Sequence, residues 1–88
     1  MPQNYPKPFN PTTQIAFNIP EATTVTIRVY NMLGQVVRTL TDGYMQAGLH
    51  TVEWDATGDN GNHLPSGLYI YRLQAGSYVE IRKMTLMR

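Results

Sequence analysis

The sequence predicts an all-β fold, an immunoglobulin-like antiparallel β-sandwich of six to seven strands. Apolar side chains recur at every second position in successive segments, which is the pattern of a half-buried strand. Clusters of Asp, Asn, Gly and Pro separate these segments at regular intervals. No segment shows convincing helical periodicity. A chain of 88 residues can build one core and has no room for a second.

The chain opens with an extended lead-in over residues 1–13. Its four prolines lack backbone donors and fix φ, so this stretch is predicted to be neither a helix nor a central strand. Tyr5 and Phe9 are its only large apolar side chains, and we expect them to pin the lead-in to the sandwich. Residues 14–88 are then predicted to form a single β-sandwich domain.

Six strands are predicted, at residues 14–19, 24–31, 35–41, 49–54, 68–75 and 78–88. The third is expected to stop at the Asp-Gly pair 42–43, which is a strong turn signal. Its buried face stays open, because Val36 and Val37 lie on opposite sides of a strand. The Gly-Ser pair 76–77 is predicted to connect the last two strands as a two-residue hairpin loop.

The last predicted strand changes parity. Val79 and Ile81 lie on one face, whereas Met84 and Leu86 lie on the other. A regular strand cannot bury both pairs against one core. The sequence therefore predicts a β-bulge between Ile81 and Met84.

Composition excludes several classes of function. The net charge is +1 and the basic residues are scattered, which argues against a nucleic-acid footprint. The absence of cysteine excludes disulfides and thiolate metal sites. The sequence has no apolar run of about 18 residues that could insert into a membrane as a helix.

No catalytic constellation is visible. Ser66 and Ser77 each lie beside a glycine in a predicted turn, outside a nucleophile elbow. His50 falls in a strand and His63 in a loop, neither with a nucleophile nearby in sequence. We therefore expect a domain that is not an enzyme and that uses no cofactor.

The loop between the fourth and fifth strands offers oxygen ligands. Asp55, Asp59, Asn60 and Asn62 are the candidates for a calcium site, because calcium prefers hard oxygen donors on a flexible loop. The loop lacks the closing bidentate glutamate of an EF-hand. Turn geometry supplied by local side-chain hydrogen bonds is the favoured interpretation, so no metal is predicted.

The tyrosines make a carbohydrate-binding surface a possible alternative. Tyr30, Tyr44 and Tyr78 could be exposed and could stack on sugar rings, although tyrosine is also a good strand former. Trp54 alternates with Val52 and is predicted to lie in the core.

Several motifs resemble one bacterial family. They are NYPKPFNPTT at residues 4–13, VYNMLGQVV at 29–37, GLHTVEWD at 48–55, GLYIYRL at 67–73 and KMTLMR at 83–88. Together they resemble the type A C-terminal sorting domain of the type IX (Por) secretion system of Bacteroidetes. That family is closely related to the immunoglobulin-like domain of flagellar hook-capping proteins.

The resemblance implies a secretion address at the C-terminal end of a larger exported protein, whose signal peptide would lie upstream. Its partners would be the outer-membrane type IX translocon, a surface peptidase and a fused upstream cargo domain, with the domain itself monomeric. Its route would lead through the periplasm to the cell surface or the medium. The residues that match the sorting pattern are Gly67, Tyr69, Gly76, Lys83, Met84, Leu86 and Arg88.

Two other functions remain open. The first is an immunoglobulin-like spacer or assembly domain, as in hook-capping proteins. The second is a carbohydrate-binding accessory module.

Overall fold

The computed structural model describes residues 12–87, and within them six strands form two antiparallel sheets. The strands are β1 (Thr13–Ile19), β2 (Thr23–Tyr30), β3 (Val36–Met45), β4 (Gly48–Trp54), β5 (Gly67–Ala75) and β6 (Tyr78–Leu86). Strands β1 and β4 form a two-stranded sheet, and the other sheet has the order β3-β2-β5-β6. The predicted fold class is confirmed. Residues 1–11 of the predicted lead-in lie outside the described residues.

The core lies between the two sheets and follows the alternation of the sequence. One cluster joins β1, β2 and β5 through Ile15, Phe17, Ile19, Val25, Ile27, Leu73 and Ala75. A second cluster at the other end contains Val29, Trp54, Ala56, Tyr69 and Leu86. Leu40, Tyr71 and Met84 pack against both clusters and connect them.

Strand β3 contains the irregularities of the large sheet. Its pairing with β2 shifts register twice, between Ile27 and Arg28 and between Val29 and Tyr30. Because of these shifts, Val37 can reach the core together with residues further along the strand. This resolves the ambiguity of its buried face.

The predicted end of β3 at Asp42 and Gly43 is wrong. The strand continues to Met45, with Asp42 opposite Thr26 and Gly43 opposite Val25. Pairing with β2 gives these residues ladder partners, and this long-range pairing overrides the local turn preference. The predicted two-residue loop at 76–77 is confirmed, since Ala75 pairs with Tyr78.

The predicted bulge in the last strand is wrong. The β5–β6 ladder pairs every residue from Gly67 with Leu86 to Ala75 with Tyr78 without a register shift. Met84 and Leu86 face the core, and Val79 and Ile81 are exposed on the opposite face. The parity change therefore marks a second apolar face and not a break in the strand.

Among residues 12–87 there is no helix long and apolar enough to cross a membrane.

Candidate interaction surface

One face of the four-stranded sheet points away from the two-stranded sheet, and we call it the outer face. By register and alternation it carries Thr24, Thr26, Arg28 and Tyr30 on β2, Val36, Asp42 and Tyr44 on β3, Leu68, Ile70, Arg72 and Gln74 on β5, and Val79, Ile81, Lys83 and Thr85 on β6. All of these residues are exposed or half-buried. No layer of the described chain covers this face.

Apolar side chains form a row across the outer face. Val36 lies opposite Tyr30, Tyr30 opposite Ile70, and Ile70 opposite Lys83. Side chains directly opposite on one face of an antiparallel sheet are in contact range. Ile81 is 62% exposed on the edge strand of the same face. Neighbouring exposed apolar side chains of this kind often mark docking sites.

The charge of the outer face is mainly positive. Arg28 lies opposite Arg72, and Arg72 lies opposite Ile81. Gln74 accepts a hydrogen bond from Arg72 at 2.9 Å, which fixes that guanidinium along the strand. The outer face thus has three basic side chains, Arg28, Arg72 and Lys83. Asp42 on β3 is a carboxylate on the same face.

A hydrogen-bonded turn extends this surface at one end of β2. The Asn31 side-chain oxygen accepts hydrogen bonds from the backbone N–H groups of Leu33 at 2.9 Å and Gln35 at 3.0 Å. Gly34 has a φ of 82° and its N–H bonds to the Asn31 carbonyl, a conformation that favours glycine. The turn holds Met32 and Leu33 in water, 58% and 83% exposed.

Two of the four candidate calcium ligands, Asp55 and Asn60, accept local hydrogen bonds that shape the loop. Asp55 accepts from the Thr57 hydroxyl at 2.5 Å and from its N–H at 3.2 Å. The Thr57 hydroxyl holds the pKa of Asp55 below its usual range. Asn60 accepts from the Asn62 N–H at 3.0 Å. In the described part of the chain, no three His, Cys, Asp or Glu side chains converge as metal ligands would.

The same loop covers the free edge of β3. The Asp59 carboxylate accepts from the Thr39 N–H at 3.0 Å, and the Asp59 N–H donates to the Val37 carbonyl at 2.9 Å. Arg38 reaches into the loop and donates to the Gly58 carbonyl at 3.1 Å. Residues 37–39 at this edge are therefore closed to pairing with another chain.

The histidines and serines do not come together. His50 stacks on Phe17 with ring centroids 5.7 Å apart, and its Nε2 lies 2.7 Å from the Gln46 carbonyl. His63 pairs with Thr57 as an isolated bridge in the long loop. Ser66 precedes β5, and Ser77 lies in the hairpin loop between β5 and β6.

The aromatic side chains do not form a common platform. Trp54 is 3% exposed, as predicted for a core residue, and its indole N–H donates to the Thr57 carbonyl at 3.0 Å. Tyr44 pairs with Thr24 on the outer face, whereas Tyr78 pairs with the buried Ala75 on the inner side of the sheet. Tyr44 and Tyr78 therefore lie on opposite sides of the sheet. Tyr30 shares the outer face with Tyr44 but lies at the other end of β2, opposite Val36.

Most of the residues matched to a sorting pattern lie in packing or turn positions. Tyr69 is buried against Trp54 at 5.8 Å, and its hydroxyl donates to the Pro65 carbonyl at 2.8 Å. Leu86 is buried, and Met84 packs against both core clusters. Gly76, with a φ of 62°, forms the hairpin loop.

Of the remaining three residues, the structure describes Gly67 and Lys83. Gly67 begins β5, and Lys83 lies on the outer face opposite Ile70. Arg88 lies outside the described residues.

The sequence did not single out the outer face. The sequence does contain a signal of an apolar outer face, because Val79 and Ile81 break the parity of the last strand. The parity change predicts a bulge, although apolar residues on the outward positions of a regular strand produce the same pattern.

The fold and this surface define an immunoglobulin-like sandwich domain with an exposed apolar and basic sheet face. The chain belongs to the family described as FlgD Ig-like domain, which matches residues 4–78.

Relatives and solved structures agree. The basal-body rod modification protein FlgD of Salmonella typhimurium is 38% identical over 53 residues, which cover 60% of this chain and 23% of that protein. The protein of the same name from Salmonella typhi has the same identity and coverage. The crystal structure of FlgD from Pseudomonas aeruginosa superposes with a TM-score of 0.67 at 26% identity, covering 86% of this chain and 60% of that one. Truncated FlgD from Helicobacter pylori, at 19% identity and a TM-score of 0.60 over 88% of this chain and 60% of that one, shares the fold. The chain thus spans about a quarter of the length of its curated relatives.

The assignment to a type IX sorting domain is wrong. The family that matches is the FlgD Ig-like domain, and the relatives carry the same name. The type IX translocon and the surface peptidase are therefore not supported as partners, and neither is the type IX route to the cell surface. The hook-capping alternative fits these findings better.

Proposed function

We propose that this chain is a non-enzymatic assembly domain of a FlgD-like flagellar protein that acts in hook capping and rod modification. The observation that carries the proposal is the family match over residues 4–78, supported by relatives named for modification of the basal-body rod. Such a protein works outside the cytoplasm, so the chain is part of an exported protein. No cofactor enters the proposal.

The outer face is the proposed contact surface. Its apolar row of Val36, Tyr30 and Ile70 gives a partner area to bury, and Arg28 and Arg72 lie beside it. Charge complementarity selects a partner surface that combines apolar and acidic side chains. The partner is therefore a flagellar structural protein with such a surface, and the domain contributes docking and not chemistry.

A domain replacement tests the proposal. This chain would replace the matching immunoglobulin-like segment of the Salmonella typhimurium FlgD in a strain that lacks its own copy. We expect the chimera to restore hook formation, scored by electron microscopy of isolated basal bodies. Ile81→Asp replaces exposed apolar area of the outer face by a carboxylate and should abolish the restoration, because the carboxylate removes apolar contact area and repels the acidic side chains of the proposed partner.

The matched control is Leu49→Asp on the two-stranded sheet. Leu49 is 75% exposed and alternates outward from the core residues of β4. The chimera with Leu49→Asp should restore hooks as well as the parent chimera does. If both variants restore hooks equally, the domain is a spacer without a docking face. If the folded and exported parent chimera gives no hooks, the assembly role fails.

A further inference from the structure

Strand β6 is an edge of the four-stranded sheet, and no strand within residues 12–87 pairs with its far side. The opposite edge, β3, is covered at residues 37–39 by the loop that follows β4. Bulges, prolines and covering loops are the usual means of protecting an edge from other chains. β6 has neither a bulge nor a proline over its nine residues, so its backbone can accept a further strand.

The hairpin loop determines which backbone groups of β6 point to the free edge. A two-residue turn places Ala75 and Tyr78 in a hydrogen-bonded pair, and such pairs recur at every second residue of an antiparallel ladder. The residues between these pairs direct their N–H and C=O groups away from β5. They are Val79, Ile81, Lys83 and Thr85, whose side chains all belong to the outer face.

We propose that β6 pairs antiparallel with β6 of a second copy of this chain, about a two-fold axis that passes between the two Ile81 residues. A two-fold contact is self-complementary, so each pair of unlike residues occurs twice. The free backbone groups then form hydrogen-bonded pairs between Ile81 and its copy and between Val79 and Lys83 of the second copy. On the other side of the sheet, Glu80 lies opposite Arg82 of the second copy.

The charges of β6 select this register. Glu80 and Arg82 form an ion pair along the strand, and the Arg82 side chain is 64% exposed. Two neighbouring registers, centred on Glu80 or on Arg82, keep the same backbone hydrogen bonds but place two glutamates or two arginines directly opposite each other. Like charges directly opposite are destabilising, whereas opposite charges stabilise a ladder. The register centred on Ile81 is the one of these three that pairs opposite charges twice.

An exchange of the two charges tests the pairing by sedimentation equilibrium. A contact through one strand is small, so we expect the parent dimer to dissociate at micromolar to millimolar concentration. Glu80→Arg and Arg82→Glu each turn two opposite-charge pairs into like-charge pairs and should weaken self-association about tenfold. An equimolar mixture of the two variants should form a heterodimer, because each then supplies the charge that the other lacks. The double variant should associate as the parent does.

These variants leave every side chain of the outer face unchanged, so their outcome is separate from that of the proposed docking function. A parent chain that stays monomeric up to about 1 mM would overturn the pairing. So would single variants that associate as the parent does, or a mixture that gains no association.

Amide hydrogen exchange on the unsubstituted chain does not depend on a variant folding. The Ile81 N–H should exchange more slowly at millimolar than at micromolar concentration, because it is bonded only in the dimer. The Arg82 N–H points to β5 and is the internal control, with slow exchange at both concentrations. Slow exchange of the Ile81 N–H that persists on dilution would show that the edge is covered within one chain. That result, or fast exchange at both concentrations, would overturn the proposal.

Discussion

Trp54→Ala should be among the most damaging single substitutions in the core. Trp54 is 3% exposed, its ring meets Tyr69 edge-on at 5.8 Å, and its N–H bonds to the Thr57 carbonyl at 3.0 Å. Replacement of a large buried aromatic by alanine costs about 3–5 kcal/mol. A domain of 88 residues is stable by roughly 4–13 kcal/mol, so the variant would lose a large part of its free energy of unfolding.

Urea unfolding followed by far-UV circular dichroism measures this loss, since the variant has no tryptophan to report. Trp54→Phe is the control. It keeps an aromatic ring against Tyr69 but leaves the Thr57 carbonyl without its donor, so the expected loss is smaller, about 1–3 kcal/mol. If Trp54→Ala unfolds within about 1 kcal/mol of the parent, the indole is not a core element and the packing described here is wrong.

Four further predictions concern the loops. Asp59→Ala should lose about 1 kcal/mol by exposing the Thr39 N–H at the β3 edge, while Asp59→Asn, which keeps an acceptor, should lose less in urea unfolding. Asn31→Ala should cost about 1–2 kcal/mol, and Asn31→Asp, which retains the accepting oxygen, should be milder. The lowered pKa of Asp55 means that its charged form stabilises the fold above about pH 4 and that this contribution is lost at lower pH. The Tm difference between the parent and Asp55→Ala should therefore shrink between pH 7 and pH 2.5, and a constant difference would contradict it. Chelator or added calcium should leave Tm unchanged, and a shift of several degrees would show a cation site in the loop.

The alternation of the sequence predicted most of the fold because it reports burial directly. Ile15, Phe17 and Ile19 face the core, as do Trp54 and the inward residues of β2. Only the register of β3 against β2 shows which of its residues face in, because two shifts separate its apolar positions. A local turn signal at Asp42 and Gly43 likewise carries no information about the strand that pairs with it.

The candidate site was harder to predict, because an exposed apolar residue and a misplaced core residue look alike in a sequence. Ile81 breaks the parity of β6, and alternation alone cannot decide between a bulge and an outward apolar face. That choice depends on where the second sheet ends. Among residues 12–87 the two-stranded sheet consists of β1 and β4, and the unbroken β5–β6 ladder places Ile81 opposite Arg72 on the outward side.

The mistaken family assignment has a physical origin as well. Motifs that suggested a sorting signal are elements that any related sandwich needs. Asn31 builds a turn, Trp54 fills the core, and Asp55, directly after β4, accepts hydrogen bonds from Thr57. Residues of this kind report the fold and not the destination of the protein.

The central claim, that the outer face is a docking surface in flagellar assembly, can be tested by site-specific photocrosslinking. A photoreactive residue would be placed at Ile81 or at Leu49 in the chimeric FlgD, and adducts would be identified by mass spectrometry from cells that are assembling hooks. We predict an adduct with a flagellar structural protein from position 81 and none from position 49. Equal adducts from both positions, or none from position 81 in cells that form hooks, would contradict the account.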